Sequence, residues 1–485
     1  MERFSSICPP CPARTLFQAV RCGSIYRENT MNPNHLISNP AAAELYNYAK
    51  TLPIIDYHNH LSLADIQSGR RFTDIYALWI EPDPYKHRAM RMCGVEEEYI
   101  TGSASPKEKF IRWCETLPRL LGNPLHTWSV MELERVFGIQ DLPNAENADE
   151  LYQKCSAYLE NHIVTADTLL DLFGAEYISP CASILDDIDL FRDTRRTAPS
   201  LRGDDIVSAD LSFLTALSKL THMRIADLGS FQRAVQSRLD AFEVCGCRFS
   251  DHALDNGFVY YPDDGKNAER FSALCRGALP EDEKCRLSSC ILTFLGKEYA
   301  ARSMTMQLHI GAQRYTSTRL RQTAGPFGGF AGIGNSVDIL SLTRFLDALD
   351  SGSHGLPKTV LFALNPADNE PLSVLSGSYS KNGVSGIVTQ GPAWWWCDHI
   401  SGIRAVLESA ASFGVLHNFI GMTTDSRSFL SFVRHDYFRR VLCGWLGEKY
   451  ESGEWICSTD ELKDLVYHIC YKNALAAIQK GGIRI

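Results

Sequence analysis

The stretch IIDYHNH (Ile54–His60) is a short apolar run of β-forming residues that ends in a His-x-His pair. Side chains alternate along a strand, so we expect His58 and His60 to project from one face near its carboxyl end, about 6–7 Å apart along the strand. Two imidazoles in that arrangement can share one divalent cation, and barrel enzymes place their chemistry at this end of their strands. The alternative is a pair of histidines that end a strand and bond only to neighbouring side chains.

The amino-acid composition limits the classes of protein to which this chain can belong. The 485 residues suffice for one large domain or two to three ordinary ones. Hydrophobic residues make up 45% of the chain and charged residues 22%, which is typical of soluble globular proteins. A formal net charge of −9 argues against nucleic acid or an anionic membrane as the main partner. No run approaches the ~18–20 apolar residues of a membrane helix. We expect a small-molecule partner, and the sequence leaves open whether the chain forms a homo-oligomer.

The sixteen cysteines are scattered without a framework, which indicates reduced thiols and a cytoplasmic protein. Cys8 and Cys11 have C-x-x-C spacing, but they lie in an irregular N-terminal stretch without the βαβ context of a redox motif. The first thirty residues carry a slight basic bias. They are either a weak organelle-targeting segment or a leader before an alternative start at Met31. We favour the leader and expect residues 1–38 to be a disordered or leader segment.

Alternating strands and helices organise the rest of the chain, which we expect to be one barrel domain over residues 39–485. Asn39 as N-cap and Pro40 in the first turn predict a helix to about Lys50, leading into the first strand. Residues 66–163 are mostly helical in pattern and predict an insertion after that strand. Further strands are predicted near 177–179, 247–250, 304–310, 359–364, 385–389 and 419–423, and helices at 204–220, 227–244, 281–299, 336–350, 400–413, 430–446 and 460–480.

This alternation implies parallel strands joined by right-handed crossovers. The first strand is not followed by the Gly-x-Gly-x-x-Gly turn of a dinucleotide-binding sheet. The pattern therefore favours a closed (β/α) barrel of TIM type within the α/β class.

The predicted last strand ends in Thr423-Thr424-Asp425-Ser426-Arg427. A strand-end Asp425 opposite the His-x-His pair could complete a three-ligand metal site or act as a base. Arg427 would point the same way and offers a forked donor to a substrate carboxylate. The alternative is that Asp425 caps the following helix and Arg427 pairs with a surface acid.

Other candidates are weaker when taken singly. His309 and His252 each lie at a predicted strand end and could be a ligand or proton carrier, although a single strand-end histidine is more often structural. Arg202 precedes a helix and could clamp an anion, or it could pair with Asp204 or Asp205 on the surface. Trp394 opens a run of three tryptophans whose simpler role is packing beneath the barrel mouth. Residues 83–88 place a phenol and three potential cations in one turn, which could equally be a solvated helix start.

Taken together, these segments resemble the uronate (glucuronate) isomerase family of the amidohydrolase superfamily. The resemblance runs in order from about Asn39 to the C-terminus. The matching motifs are 56–61 (DYHNHL), 85–88 (YKxR), 122–125 (GNPL), 250–252 (SDH), 306–311 (MQLHIG), 392–395 (PAWW), 424–429 (TDSRSF) and 434–440 (RHxYFRR).

The resemblance implies a distorted (β/α)8 barrel with a helical insertion, and carbohydrate metabolism by aldose–ketose isomerisation of a hexuronate, of the D-glucuronate to D-fructuronate type. It further implies roles for individual residues. The implied ligands of a divalent metal, zinc, are His58, His60 and Asp425, with His309 close to it. The implied substrate contacts are Arg202, Arg427, Arg88 and Trp394, and the implied carriers of protons are Asp425, Tyr85 and His309.

The sequence also departs from the family pattern at four places along the pocket edge. The turn DHYKWR is DPYKHR at 83–88, and the segment TTDDP appears as ASILDDI at 182–188. The loop GPDxGFD is GPFGGFA at 325–331, which removes two acids and introduces Phe327, and Cys397 stands where Asn is usual. These losses thin out the groups expected to bind sugar hydroxyls.

Three hypotheses follow. The first is a metal-assisted uronate isomerase. The second is a diverged decarboxylase, hydratase or hydrolase of the same superfamily that acts on a less hydroxylated carboxylated molecule, since one barrel hosts many chemistries. The third is a catalytically dead paralogue, which the intact His58, His60, Asp425 and Arg427 disfavour.

Overall fold

The computed structural model describes residues 32, 34–191, 194, 196–326 and 328–479. The Cys8–Cys11 pair, most of the expected leader and Phe327 lie outside the described residues.

A seven-stranded sheet in which every pairing is parallel forms the centre of the molecule, with its strands in the order β1-β2-β3-β4-β5-β8-β9. A separate antiparallel pair, β6 with β7, lies in a loop. The strands are β1 (Ile54–Asn59), β2 (Ala175–Ser183), β3 (Ser200–Arg202), β4 (Phe249–Leu254), β5 (Thr305–Ile310), β6 (Ala312–Gln313), β7 (Gly332–Ile333), β8 (Thr359–Ala363) and β9 (Val388–Gln390). Sequential parallel strands joined by helices are the arrangement that the alternating pattern predicts.

Helices occupy most of the connections. Before β3 they are α1 (Pro40–Ala49), α2 (Leu63–Ser68), α3 (Ile75–Trp79), α4 (Pro84–Met92), α5 (Pro106–Thr116), α6 (Pro124–Phe137), α7 (Ala148–Asn161) and α8 (Ala166–Phe173). After β3 they are α9 (Asp204–Ser208), α10 (Leu211–Thr221), α11 (Leu228–Val244), α12 (Asn267–Cys275), α13 (Glu281–Ala301), α14 (Thr318–Ala324), α15 (Ile339–Asp350), α16 (Asn369–Ser376), α17 (Ile400–Phe413), α18 (Val433–Glu451), α19 (Thr459–Tyr467) and α20 (Asn473–Ile478).

Single helical turns complete the secondary structure. The 3₁₀ turns are Glu97–Tyr99, Leu117–Leu120, Ile188–Phe191, Pro366–Asp368, Trp395–Cys397, Leu416–Asn418 and Phe429–Phe432, and His468–Lys472 is a π-helical turn.

The predicted helix start at Asn39 is confirmed. The Asn39 side chain accepts a hydrogen bond from the backbone N–H of Ala42, and Pro40 occupies the first helical position. Such a cap satisfies one of the N–H groups that a helix start leaves unpaired. The helix delivers the chain into β1, whose residues are all buried.

One strand prediction is wrong, and one strand of the central sheet was not predicted. Residues 419–423 do not form a strand, because Gly421 adopts a φ of +82° and the backbone N–H of His58 donates to the Thr423 hydroxyl at 2.9 Å rather than to a backbone carbonyl. The short strand β3 was not predicted, since three residues before a helix give no alternating pattern. The predicted helix 204–220 is divided at Ala209, which has a φ of +48°.

The sheet curls strongly. The Tyr57 ring on β1 stacks on Phe249 of β4 with centroids 5.5 Å apart, and the His58 ring lies 4.7 Å from that of His309 on β5. Neither pair of strands is adjacent in the sheet order, so only curvature brings these side chains together. Two larger apolar cores surround the sheet. One lies between the helices of residues 63–173 and α18, and the other lies among β4, β5, α10–α13 and α15.

The helices between β1 and β2 match the predicted helical pattern of residues 66–163. They pack through fully buried rings, including Trp79 and Phe110, whose centroids lie 5.7 Å apart. Among the described residues, no helix is both long enough and apolar enough to cross a membrane.

Candidate active site

A cavity of about 980 Å³ opens at the carboxyl ends of the parallel strands. Every predicted site residue except Arg88 lines it: His58, His60, Tyr85, Arg202, His309, Trp394, Asp425 and Arg427. Parallel strands present the side chains that follow them to the same edge, which is why positions far apart in sequence meet here.

The histidine pair and the late aspartate converge in this cavity. Oδ1 of Asp425 lies 3.3 Å from Nε2 of His58 and 3.1 Å from Nε2 of His60. The two rings stand nearly perpendicular, with centroids 5.3 Å apart. The arrangement joins the end of the first strand to the segment that follows α17.

Asp425 occupies a constrained position. Its φ is +49°, a left-handed conformation that is uncommon for residues other than glycine. Its backbone N–H donates to the carbonyl of His58 at 3.1 Å, and its Oδ2 accepts a hydrogen bond of 2.8 Å from Nε1 of Trp394. Such backbone conformations persist where surrounding contacts determine them and are concentrated at functional sites. Asp425 therefore does not serve as a helix cap; Ser428 caps the next turn.

Behind the histidines, the fully buried Asp56 anchors the same segment. It accepts hydrogen bonds from the backbone N–H and hydroxyl of Thr424, at 2.6 and 2.7 Å, and from the Thr423 hydroxyl at 2.9 Å. Nε2 of His435 lies 3.2 Å away on α18. Burial opposes ionisation of Asp56, but the hydrogen bonds from His435 and Thr424 outweigh it and lower its pKa.

Two further side chains, Cys181 on β2 and Asp251 on β4, reach the histidines from the other side of the cavity. The Cys181 thiol lies 3.6 Å from Nδ1 of His58 and 3.5 Å from Oδ1 of Asp251. Oδ2 of Asp251 is 4.0 Å from Nδ1 of His309. Potential ligand atoms lie within 4.8 Å of one another in two groups that share His58, one with His60 and Cys181, the other with Asp251 and His309.

Two of the three separations within the set His58, His60 and Asp425 fit a divalent metal. Two ligand atoms bound at about 2.1 Å to a tetrahedral zinc are about 3.4 Å apart, close to the separations of 3.3 and 3.1 Å between Asp425 and the two imidazoles. Nε2 of His309 is buried without a hydrogen-bond partner among the described residues, which is unusual for a polar atom. Imidazole and carboxylate donors suit several divalent metals, so the donor set supports a divalent ion without selecting one.

The four candidate metal ligands differ in the direction of their pKa shifts. Burial opposes ionisation of Asp425, but hydrogen bonding to His58 and His60 outweighs it and holds its pKa well below the usual range. Burial lowers the pKa of His60 to about 4, and burial together with the neighbouring His58 holds the pKa of His309 well below its usual value. Burial would lower the pKa of His58, but Cys181, Asp425 and Asp251 outweigh burial and raise that pKa well above its usual value. His60 and His309 are therefore the neutral imidazoles that a metal requires, whereas His58 would release a proton when it binds the ion.

Arginines line the wall beside the metal donors. Arg427 faces the cavity two residues after Asp425. Arg202 also lines it, and its Nη2 donates to Asp204 at 3.2 Å, so the predicted contact with an acid is present in a side chain that also reaches the cavity. Burial alone would lower the pKa of Arg202, but the nearby Asp251 and Asp204 raise it. The cavity therefore combines an ionised carboxylate with permanent positive charge.

The segment that starts α4 contributes Tyr85 to the cavity. Its ring packs edge-on against Trp396 with centroids 5.1 Å apart, and burial, then the negative charge of Asp425, raises its pKa well above the usual value. Arg88 behaves differently from the prediction: it lies over the Trp396 ring at 4.4 Å, and its Nη1 donates to the carbonyls of Gly329 and Ala331. In this structure Arg88 holds a loop and does not line the cavity.

His252 lies within β4, two residues before the end of the strand, and it also lines the cavity, but its Nε2 lies 2.9 Å from the Tyr299 hydroxyl. Burial lowers its pKa to about 4. The adjacent Asp251 points to the site instead, as side-chain alternation along β4 requires. The packing role considered for Trp394 also holds in part, since its ring lies 4.7 Å from that of His309.

Sequence reasoning missed Cys181 and Arg314 as site residues. Cys181 lies in mid-strand with no spacing signal, so only the pairing of β2 with its neighbours could have indicated it. Arg314 lines the cavity, donates to both carboxylate oxygens of Asp255 at 2.9 Å and lies 5.4 Å from the centre of the Trp395 ring.

Comparison with known proteins extends over nearly the whole chain. The family model described as glucuronate isomerase matches residues 27–477. The chain is 35% identical over 457 residues to the uronate isomerase of Clostridium perfringens, with 92% of this chain and 98% of that one covered. It is 38% identical over 460 residues to the uronate isomerase of Salmonella arizonae, with the same coverage. The crystal structure of uronate isomerase from Thermotoga maritima superposes with a TM-score of 0.86 at 30% identity, covering 92% of this chain and 99% of that chain. With its histidine pair, late aspartate and cavity arginine in the order that the motifs predict, this chain belongs to the glucuronate isomerase family.

Proposed function

We propose that this protein interconverts an aldohexuronate and its ketose, as in D-glucuronate to D-fructuronate. The observation that carries the proposal is the convergence of His58, His60 and Asp425 beside Arg427 in one cavity. Family membership over the length of the chain supports the same reaction. The decarboxylase, hydratase or hydrolase alternative receives no support from these relatives.

His58, His60 and Asp425 would hold a divalent metal, which we propose to be zinc, and His309 would lie next to it. When bound, such an ion supplies positive charge that polarises a carbonyl oxygen. Asp251 and Cys181 extend the donor set on the far side of His58. The buried Asp56 and Trp394 would keep the Asp425 carboxylate in one orientation.

Isomerisation moves one proton from C2 to C1 and a second from O2 to O1, through an enediol-like species. Asp425 is the strongest candidate to accept and return the carbon-bound proton, because its lowered pKa keeps it ionised. Tyr85, whose raised pKa keeps the phenol protonated, is suited to hold a proton between the two oxygens. His309 is the third candidate carrier. Arg427 would stabilise negative charge that develops on oxygen.

The substrate carboxylate would bind Arg427 or Arg202, since a guanidinium offers two parallel donors to a carboxylate. Trp394 would form part of the wall beside the sugar. We keep Arg88 as a residue that completes the pocket indirectly, through the loop carbonyls it binds.

We further propose that the sheet closes as a distorted (β/α)8 barrel over residues 39–485, with 66–163 as an insertion. The hydrogen bonds of Asp425 N–H to His58 and of His60 N–H to the Ser426 carbonyl, 2.8 Å, support closure through the 419–426 segment. Free cysteines throughout the described residues support a cytoplasmic location.

The reaction is tested by incubating the metal-loaded protein with glucuronate and galacturonate and measuring ketose formation. We expect ketose from at least one of the two. Tight carboxylate binding with metal present but no ketose from either substrate would contradict the isomerase assignment.

A further inference from the structure

A second cluster of metal-ligating side chains lies on the surface, separate from the cavity. His417 belongs to the 3₁₀ turn after α17, whereas Asp464 lies in α19 and His468, four residues later, begins the π-helical turn that follows. One potential ligand atom from each of the three residues lies within 4.8 Å of the others. None of the three lines the cavity described above.

The carboxylate of Asp464 faces both rings. Its Oδ2 lies 3.1 Å from Nε2 of His417, and its Oδ1 lies 3.5 Å from Nδ1 of His468. The imidazole centroids are only 3.8 Å apart, with the planes tilted by 38°. Two imidazole rings and one carboxylate thus converge from two separate segments of the chain.

The tautomer of His468 favours metal binding. Its Nδ1 lies 2.9 Å from the backbone carbonyl of Asp464, and because a carbonyl only accepts, Nδ1 must carry the proton. In the neutral ring Nε2 then has the lone pair. Ligand histidines commonly donate their other ring N–H to a backbone carbonyl, which orients the ring in advance.

The surrounding structure holds both sides of the cluster in place. Nδ2 of Asn473 donates to the carbonyls of His417 and Phe419 at 2.8 and 2.9 Å, which ties the turn to α20. His468 begins the π-helical turn, an irregularity that is frequent at functional sites. The side chains of His417, Asp464 and His468 retain exposures of 45%, 59% and 22%, so a bound ion could keep water ligands.

We infer that His417, Asp464 and His468 form a second, surface site for a divalent transition metal of the zinc class. Two imidazoles and one carboxylate are the donors that zinc, copper and nickel prefer over calcium or magnesium. An ion held there would connect α19 to the turn from which the chain runs on to Asp425.

Zinc stoichiometry tests the inference. Protein already loaded at the cavity site is equilibrated with Zn²⁺, and bound zinc per chain is measured after the unbound metal has been removed. We expect the wild type to take up about one more zinc ion per chain than the His417→Ala/His468→Ala variant. The His58→Ala/His60→Ala variant should keep the surface ion, so failure of this site and failure of the proposed active site give different results.

A matched control is His162→Ala. His162 is a surface histidine whose Nδ1 also lies 3.0 Å from the carbonyl four residues earlier, but no carboxylate is paired with its ring among the described residues. This variant should bind as much zinc as the wild type.

Thermal unfolding supplies a second readout. With the cavity site already loaded, further zinc should raise the Tm of the wild type and of His162→Ala, but not that of His417→Ala/His468→Ala. Equal zinc uptake and equal Tm shifts in the wild type and the surface double variant would overturn the inference.

Discussion

The Thr424 hydroxyl donates a 2.7 Å hydrogen bond to Oδ2 of Asp56, and this contact joins the segment that carries Asp425 to the first strand. Both residues are fully buried. The histidine pair and the catalytic aspartate candidate thus depend on the same buried carboxylate for their relative position.

Replacing Asp56 by Asn should destabilise the fold by about 3 kcal/mol, because the amide cannot accept on both sides and leaves buried donors unpaired. The free energy of unfolding in urea is the measurement. Ser431→Ala offers a buried polar control, since among the described residues its hydroxyl makes a single hydrogen bond, a long one of 3.4 Å to Glu132. A loss from Asp56→Asn no greater than that of the control would show that the network contributes little.

The same variant should change how stability depends on pH. The pKa of Asp56 is lowered in the folded state, so its contribution is complete above the unfolded value of about 3.9 and is lost as the pH falls through the folded value. The difference in unfolding free energy between wild type and Asp56→Asn should therefore be constant from about pH 5 to 7 and narrow below about pH 4. A difference that grows on acidification would contradict this assignment.

Removing the histidine pair should remove the metal. We expect His58→Ala/His60→Ala to lose the cavity metal and nearly all isomerase activity, because two of the three proposed ligands are gone. Metal analysis of protein purified without added zinc and ketose formation are the two measurements. His252→Asn is the control, since His252 bonds to Tyr299 and its replacement should leave the metal content unchanged.

Trp394→Phe should lower kcat/KM by about tenfold to hundredfold, because it removes a hydrogen bond to an ionised carboxylate, an interaction of about 1.5–3 kcal/mol. The 2.8 Å bond from Trp394 Nε1 to Asp425 is the contact concerned. Trp396→Phe is the matched control, because it makes the same change of ring but removes no hydrogen bond. The Trp396 Nε1 is buried without a hydrogen-bond partner among the described residues. Equal losses in the two variants would indicate that ring packing, and not the hydrogen bond, matters.

Arg427→Lys should weaken binding of a hexuronate by about tenfold or more, since lysine cannot supply the two-pronged donor. Binding of the corresponding uncharged hexose should change little, and competition against a hexuronate measures both affinities. An unchanged hexuronate affinity would falsify the role of Arg427 as the carboxylate contact.

Local sequence was enough to place the first strand, its two histidines and Asp425, because each is signalled within a few neighbouring residues. It also indicated the helical stretch after β1, whose apolar positions recur at helical spacing. Cys181 and Asp251 could not be assigned in this way, since their proximity to His58 arises from sheet pairing and curvature, which join residues far apart in the chain.

The tertiary structure also distinguishes between residues that the sequence alone presents as equivalent candidates. Arg88 and Arg427 both lie in matching motifs, yet one binds loop carbonyls and the other faces the cavity. His252 and His309 both lie in the second half of a strand, yet of these two only His309 contacts His58. A motif constrains which side chains are present, whereas the direction in which each one points depends on the packing of the surrounding helices and strands, and this is a property of the folded chain as a whole.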